Sequence, residues 1–243
     1  MRLTHLDRRP VSQRRPVLVL PLIWVLAVVL GGCASARGEE LVRVTVGAEA
    51  TTSAGARTGT TATAGVRFVA VGDSITSWSP PAPDAGTPSS GSWVPAASAA
   101  PVQFGGGWAV PGARTADMLA HVTPYDADVL VLLGGTNDLA HGMPWAESSA
   151  NLRAIVATAG VPDVVLSAIP PCDLRPEAVL AYNTQLVALA QAEGWTFVDP
   201  WTTVSQAGSY RPGTSVDGTH PTLATADQVG RELRRVVLDG AGD

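Results

Sequence analysis

The chain has few residues that bind metals and no concentration of positive charge. It contains two cysteines and four histidines in 243 residues, without a CxxC pair and with the histidines widely spaced, so no metal-ligating cluster is indicated. All 16 basic residues are arginine, against 21 acidic residues. Nucleic-acid binding requires a basic surface, which this balance of charge excludes.

The sequence has an apolar run near its start, but that run is too short to cross a bilayer. Residues 17–30 are 14 apolar residues, whereas a membrane-spanning helix needs ~20. Five arginines precede the run and small residues follow it, which is the order of a secretory signal. The segment Leu30-Gly31-Gly32-Cys33 resembles the bacterial lipobox, whose cysteine is diacylated and becomes the first residue. We therefore expect a lipoprotein signal peptide over residues 1–32 and lipidation of Cys33, the alternatives being plain secretion or an uncleaved anchor.

Composition divides the remainder into two parts. Residues 33–65 are rich in Ala, Thr, Gly and Ser and poor in large apolar residues, which predicts a flexible tether. Residues 66–243 have the apolar segments of a folded domain. The whole chain is 46% hydrophobic and 15% charged, which is typical of a globular core.

Strand-like and helix-like patterns alternate through this domain. Strands are predicted near residues 66–71, 128–133, 164–169 and 196–198, and helices near 116–121, 144–160, 176–194 and 221–238. Thr115 is predicted to cap the first of these helices, and Gly160 and Gly194 to end the next two. This alternation predicts an α/β fold with a parallel sheet covered by helices on both faces, a three-layer αβα sandwich.

Polar residues follow two of the predicted strands. Asp73 and Ser74 come directly after the first strand, and Asn137 and Asp138 follow the strand at 128–133. Open parallel sheets bind their ligands at the carboxyl ends of the strands. Taken alone, Asp73 and Ser74 are more typical of an ordinary turn than of a catalytic site; we expect Asp73 and Asp138 to order their loops.

A second polar segment, Asp217-Gly218-Thr219-His220, precedes the last predicted helix. A serine hydroxyl needs a base to accept its proton, and the base needs a partner that fixes its tautomer. Ser74, His220 and Asp217 can supply these roles if the ends of the strands converge. His121 and His141 are the competing bases, although neither has a carboxylate so closely spaced before it.

These segments together resemble, in order, the four conserved blocks of the SGNH (GDSL-type) hydrolases. The matching residues are Gly72-Asp73-Ser74, Gly112, Gly135-Thr136-Asn137-Asp138 and Asp217-Gly218-Thr219-His220. The resemblance extends over residues 66–238, nearly all of the predicted domain, and it implies a flavodoxin-like sheet of five parallel strands.

The resemblance also implies a role for each matching residue. Ser74 would be the nucleophile, His220 the general base and then acid, and Asp217 the residue that holds the imidazole. The backbone N–H groups of Ser74 and Gly112 and the side-chain amide of Asn137 would form the oxyanion hole. No metal ion and no organic cofactor is implied.

The expected function is cleavage of carboxylic esters of envelope glycans or lipids through an acyl-enzyme. We expect an exported monomer, attached to the outer face of the membrane by its lipid anchor. Trp78, Trp93 and Trp108 are expected near the mouth of the site, where they could contact sugars or acyl chains, or else to pack in the core. An acyltransferase, a thioesterase, a phospholipase and a non-catalytic glycan-binding domain are the alternatives. Cys172 is given no role.

Overall fold

The computed structural model of the protein describes residues 65–77 and 91–240. All of them belong to one compact unit, which runs from Thr58 to Asp243. The predicted signal peptide, Cys33, Trp78 and the predicted tether (apart from Gly65) lie outside the described residues. Among the described helices, none combines the length and apolarity needed to cross a bilayer.

Five strands form the central sheet. They are β1 (Arg67–Gly72), β2 (Gln103–Ala109), β3 (Val129–Leu133), β4 (Asp163–Ser167) and β5 (Thr196–Val198). Every neighbouring pair is parallel, and the strand order is β2-β1-β3-β4-β5. This is the flavodoxin-like order, in which the chain changes direction across the sheet between β1 and β3. The predicted fold is therefore confirmed.

Seven helices surround this sheet in the described part of the chain. They are α1 (Ser74–Ser77), α2 (Val94–Ala97), α3 (Thr115–His121), α4 (Thr136–Ala140), α5 (Trp145–Ala159), α6 (Pro176–Glu193) and α7 (Leu223–Gly240). A separate two-stranded hairpin, β6 (Ser205–Gln206) with β7 (Ser209–Tyr210), follows β5. Gly160 and Gly194 end α5 and α6 in the left-handed conformation, as predicted.

Two helix starts differ from the prediction. Arg114, rather than Thr115, is the N-cap of α3, because the backbone of Arg114 is extended and its N–H donates to the Asp117 carboxylate. The last helix begins at Leu223, two residues after Pro221, because Pro221 forms a β-bridge with Ser215. The short helix α4 was not predicted, since five residues are too few to show a helical period.

Side chains that alternate along the strands supply a core on each face of the sheet. From β1, Phe68 and Ala70 pack in the core that α2 and α7 cover, whereas Val69 and Val71 pack in the core that α3, α5 and α6 cover. Nearly all of these strand side chains are inaccessible to solvent. Burial on both faces explains why the strand sequences are continuous apolar runs.

A bulge in β2 shifts the register in which this edge strand pairs with β1. Phe68 pairs with Phe104 but Ala70 pairs with Gly107, so β2 has one more residue than β1 over this interval. Gly107 has a φ of +134°, and a Cβ there would lie 1.9 Å from the Ala70 carbonyl oxygen. Only glycine fits, because the two backbones are in direct contact.

Candidate active site

Ser74 lies at the carboxyl end of β1, where the chain turns sharply into α1. A Cβ at Gly72 would lie 2.3 Å from the Thr76 hydroxyl, so this turn requires glycine. The Asp73 carbonyl accepts the N–H groups of Thr76 (3.1 Å) and Ser77 (2.9 Å) and closes the turn. Ser74 itself is half-buried, with its hydroxyl at the lip of the sheet.

The structure brings Ser74, His220 and Asp217 into one hydrogen-bonded chain. Ser74 Oγ lies 2.9 Å from His220 Nε2, and His220 Nδ1 lies 2.8 Å from Asp217 Oδ2. The contact between serine and histidine joins residues 146 positions apart. A base at hydrogen-bond distance from a hydroxyl, with a carboxylate behind the base, is the arrangement that activates a serine nucleophile.

Asp217 is held by the backbone of its own turn. Its Oδ1 accepts the N–H groups of Thr219 (2.9 Å) and His220 (2.7 Å), which leaves Oδ2 for the imidazole. Burial alone would raise the pKa of Asp217, but these hydrogen bonds outweigh it and lower the pKa below its ordinary value. The carboxylate is therefore ionised at neutral pH and can hold the Nδ1 proton of His220.

Two residues that sequence analysis did not select brace this turn from outside. Asp173 donates its N–H to the Gly218 carbonyl (2.9 Å), and its carboxylate accepts the N–H of Tyr210 (2.9 Å). The buried Tyr210 in turn donates its hydroxyl to the Thr219 carbonyl (3.1 Å). Neither residue belongs to a recognisable motif, since the contacts join the loop after β4, the hairpin and the His220 turn only in three dimensions.

Asn137 approaches the same site from the end of β3. Its Nδ2 donates to the Ala113 carbonyl at 2.9 Å and lies 3.4 Å from Asp73 Oδ2, so the amide lies between β1 and the loop after β2. Gly112 lies in that loop, exposed and with a φ of +81°. A Cβ at Gly112 would contact nothing within 4 Å. The glycine is therefore required by its backbone conformation and not by lack of space.

Two fully buried carboxyl groups support these loops. Asp138 accepts the N–H of Thr115 (2.9 Å), its hydroxyl (2.5 Å) and the hydroxyl of Ser148 (2.9 Å), and so ties α4 to α3 and α5. Asp73 accepts the N–H of Ile75 at 2.9 Å. Burial raises the pKa of Asp73 to about 6, although the hydrogen bond from Ile75 opposes this change.

Two cavities of different size adjoin Asn137 and Gly112. On the Asn137 side is a cavity of about 80 Å³, whose lining combines apolar side chains with the exposed Arg175. Its apolar lining includes Leu139, Ile169, Cys172 and Val179. On the Gly112 side is a more open groove of about 390 Å³, lined by Trp108, Pro111 and His121 among others. One cavity therefore lies beside Asn137 and the other beside Gly112.

None of the other described candidates contacts Ser74, although Trp108 and His121 line the groove beside Gly112. His121 stacks on Trp108 with ring centroids 4.9 Å apart, and His141 is exposed at the end of α4. Trp93 is buried, packs on Phe68 and donates to the Thr76 hydroxyl, so it is a core residue. Within residues 65–77 and 91–240, no three His, Cys, Asp or Glu side chains form a group suited to a metal ion.

Sequence comparison finds one family whose profile matches this chain. The profile of the GDSL-like Lipase/Acylhydrolase family matches residues 70–227, a span that includes Ser74, Gly112, Asn137, Asp217 and His220. Among curated proteins, none matches the sequence significantly.

Solved structures with the same fold carry related descriptions. A member of the lipolytic protein G-D-S-L family from Veillonella parvula has a TM-score of 0.54 and 18% identity, covering 70% of this chain and 97% of its own. A GDSL-like lipase from Bacteroides thetaiotaomicron has a TM-score of 0.53 and 18% identity, covering 71% and 88%. A carbohydrate esterase family 3 protein from Talaromyces cellulolyticus has a TM-score of 0.52 and 21% identity, covering 72% and 99%. At these identities the similarity concerns the fold.

Proposed function

The chain belongs to the GDSL-like lipase/acylhydrolase family, and on that premise we propose that it is a serine esterase whose catalytic triad is Ser74, His220 and Asp217. The observation that carries this proposal is the continuous hydrogen-bonded chain from Ser74 Oγ through the imidazole to the Asp217 carboxylate, with distances of 2.9 and 2.8 Å. The geometry needs no rearrangement before proton transfer, because the hydroxyl and the base are already in contact.

The proposed reaction proceeds in two halves. Ser74 Oγ attacks the ester carbonyl carbon while His220 Nε2 takes the hydroxyl proton, and the C–O bond breaks as the imidazolium returns that proton to the departing alcohol. Water then attacks the acyl-enzyme, giving its proton to His220, and the acid leaves as the proton returns to Ser74. Asp217 stays ionised throughout and stabilises the imidazolium.

The oxyanion of each tetrahedral intermediate would be bound by three donors. In the described part of the chain, the backbone N–H groups of Ser74 and Gly112 donate to no protein acceptor, so both are available to a ligand. The third donor is the Asn137 amide: one N–H donates to the Ala113 carbonyl and holds the amide beside the Gly112 loop, and the other, whose contact with Asp73 Oδ2 is long at 3.4 Å, would turn to the oxyanion. Such a donor typically lowers the barrier by about 3 kcal/mol.

We propose that the acyl group of the substrate is short. The cavity beside Asn137 measures about 80 Å³, which is smaller than the ~150 Å³ that accommodates benzene. An acetyl group fits such a space, whereas an octanoyl or palmitoyl chain does not. The groove on the Gly112 side then receives the alcohol part of the ester.

Solvent exposure favours hydrolysis over acyl transfer. The side chain of Asp217 is 51% exposed and that of His220 is 27% exposed, so water reaches the base directly. An acyltransferase has to keep water away from its acyl-enzyme.

We also propose that the enzyme acts at the cell envelope as a lipoprotein, on the strength of the signal-like sequence that ends at Cys33.

The test is hydrolysis of p-nitrophenyl acetate, butyrate, octanoate and palmitate by the Thr58–Asp243 unit. We expect turnover to be fastest with acetate, to fall steeply from butyrate to octanoate, and to be abolished by Ser74→Ala. The matched control is Ser205→Ala, which removes a hydroxyl from the hairpin and should keep full activity. Persistent turnover in Ser74→Ala, with an unchanged melting temperature, would refute the assignment of the nucleophile.

A further inference from the structure

Arg175 differs from most arginines of the protein because its guanidinium group has no partner. Among the residues that the structure describes, five arginines donate side-chain hydrogen bonds: Arg67, Arg114, Arg153, Arg234 and Arg235. The guanidinium groups of Arg175, Arg211 and Arg231 donate to no acceptor in that part of the chain and form no ion pair there. Of these three residues, Arg175 is the one that lines the cavity beside Asn137.

The position of Arg175 does not favour the helix that it precedes. Arg175 is the N-cap of α6, where Ser, Thr, Asp or Asn is preferred, and its side chain makes no capping hydrogen bond. The amino end of a helix carries a partial positive charge, which repels a cation. At the start of α3, Arg114 is paired with Asp117 at 3.3 Å, whereas Arg175 forms no ion pair with Asp173 or Glu177, its acidic neighbours in the sequence. A residue that departs from local preferences without a structural gain is expected at a functional site.

Arg175 is also the one charged residue in the lining of its cavity. The rest of the lining contains no carboxylate and no second cation, and it includes Asn137 and Thr219, the residue that precedes His220. The groove on the Gly112 side has the opposite character, because its lining contains Asp117 and no arginine. An anionic part of a substrate would therefore be attracted to the cavity beside Asn137 and repelled from the groove.

The charge lies where the cavity opens to solvent. Arg175 is exposed, whereas Ile169 and Val179 in the same lining are buried. The planar guanidinium group presents N–H groups that match both oxygens of a carboxylate. A short acyl chain that ends in a carboxylate would place its methylene groups against the apolar lining and its charge at the exposed end. A carboxylate bound there keeps part of its hydration, so that the cost of desolvation is small.

From these observations we infer that Arg175 selects the acyl group, and that the substrate is a half ester of a short dicarboxylic acid, such as a succinyl ester. This inference rests on the proposed esterase function, since it specifies the acid that the acyl-enzyme carries. The acyl-enzyme at Ser74 would hold its distal carboxylate against the Arg175 guanidinium group. Attack of Ser74 releases the alcohol with the proton that His220 returns, and water then releases the dicarboxylate.

The test compares two esters that differ at one group. Monoethyl succinate and ethyl butyrate share the same alcohol and have acyl chains with the same number of carbons, but succinate has a carboxylate in place of the terminal methyl group. For the full-length protein we expect kcat/KM to be at least about tenfold higher with monoethyl succinate, because a hydrogen bond between charged groups stabilises its complex. This preference should diminish in about 1 M NaCl, where an exposed ion pair is screened.

Arg175→Gln should remove the preference through KM. The KM for monoethyl succinate should rise by about tenfold or more with little change in kcat, since the distal carboxylate is bound equally in the substrate and the transition state. Turnover of ethyl butyrate should be unchanged, which also shows that the variant folds. Arg175→Lys keeps the charge but not the fork of N–H groups, so it should keep part of the preference. Arg231→Gln is the matched control, because it removes the same charge from an exposed arginine of α7 and should keep the whole preference.

Three results would overturn the selection by Arg175 while leaving the esterase proposal intact, provided that the parent hydrolyses p-nitrophenyl acetate. They are equal kcat/KM for the two esters, a preference that survives Arg175→Gln, and an equal loss on both esters in that variant. A preference lost equally in Arg231→Gln would assign the effect to net charge and would overturn it as well. Absence of p-nitrophenyl acetate turnover by the folded parent would instead overturn the esterase proposal.

Discussion

At the residue scale, Asp73 combines the ordering of its turn with complete burial of its carboxyl group. It lies directly before Ser74, is completely buried, and accepts the N–H of Ile75 with one oxygen while the other lies 3.4 Å from Asn137 Nδ2. A carboxylate in this position costs solvation energy that its few hydrogen bonds only partly restore. The raised pKa of Asp73, about 6, expresses that cost. It predicts a pH dependence of stability.

Relative to the wild type, the Asp73→Asn variant should become more stable as the pH rises. The pKa of Asp73 is about 6 in the fold and 3.8 ordinarily. The stability that the protonated carboxyl group contributes to the fold is therefore complete below pH 3.8 and is lost as the pH rises through 6. The free energy of unfolding of the variant, relative to wild type, should therefore increase by roughly 3 kcal/mol between pH 4 and pH 8. Denaturant titrations across this range would measure it, and a difference independent of pH would contradict the buried, titrating carboxyl.

Asn137→Ala tests the proposed role of this amide as an oxyanion donor. We expect kcat to fall by about two to three orders of magnitude with a smaller change in KM, since the interaction strengthens only in the transition state. The control is Asn151→Ala, because Asn151 is also half-buried and donates to the Thr115 hydroxyl, away from Ser74. Steady-state kinetics of both variants measure the two changes in kcat and KM. A comparable loss in Asn151→Ala would show that general loosening of α3 and α5, and not the missing donor, lowers the rate.

At the scale of elements, the site depends on the way strand ends and loops are fixed to one another. The His220 turn has no regular secondary structure beyond the bridge between Ser215 and Pro221, and Asp173 and Tyr210 hold it in place. On the other side, the bulge in β2 determines where the Gly112 loop leaves the sheet. The first device uses side-chain hydrogen bonds to the backbone, and the second uses the close approach of two backbones.

Gly107→Ala tests the close approach in β2. The new Cβ would clash with the Ala70 carbonyl and would sit at a positive φ, and we expect a loss of about 3 kcal/mol or more in the free energy of unfolding. Gly160→Ala is the matched control, since Gly160 also has a positive φ but open space around it, and it should cost about 1 kcal/mol. Chemical denaturation of the two variants separates the clash from the conformational cost. Equal losses would mean that β2 moves to accept the methyl group.

At the scale of the whole molecule, the strand order brings the site together. The ends of β1 and β3 are adjacent where the sheet changes direction, so Ser74 and Asn137 become neighbours although 63 residues separate them. Among the described residues, the helices cover both faces of the sheet, and Ser74 at its carboxyl edge is half-buried.

Cys33→Ser tests the proposed anchor in the full-length protein. We expect the variant to move from the membrane fraction to the soluble fraction of the producing bacterium, because stable attachment requires acyl chains on this cysteine. Fractionation followed by immunodetection measures the distribution. Attachment that survives the substitution would indicate that residues 17–30 remain in the protein as an uncleaved anchor.

The order of apolar runs and polar strand ends was enough to predict much of this protein. Continuous apolar strands separated by helical patterns predicted the parallel sheet. Strands that are buried on both faces carry apolar residues at successive positions and do not alternate between apolar and polar residues. Glycines at 160 and 194 predicted the ends of two helices, because a left-handed cap favours that residue. The helix α4 and the start of α7 were missed, since the first is too short for a period and the second depends on a bridge formed across a turn.

The sequence by itself determined which residue types stand at the carboxyl ends of the strands, because local conformational preferences and burial act over a few neighbouring positions. Only the tertiary structure decided that Ser74 and His220 meet at 2.9 Å, that Asp173 and Tyr210 brace the histidine turn, and that a carboxyl is buried behind Asn137. These contacts join residues far apart in the chain. Their formation depends on strand order and packing, which no local pattern encodes.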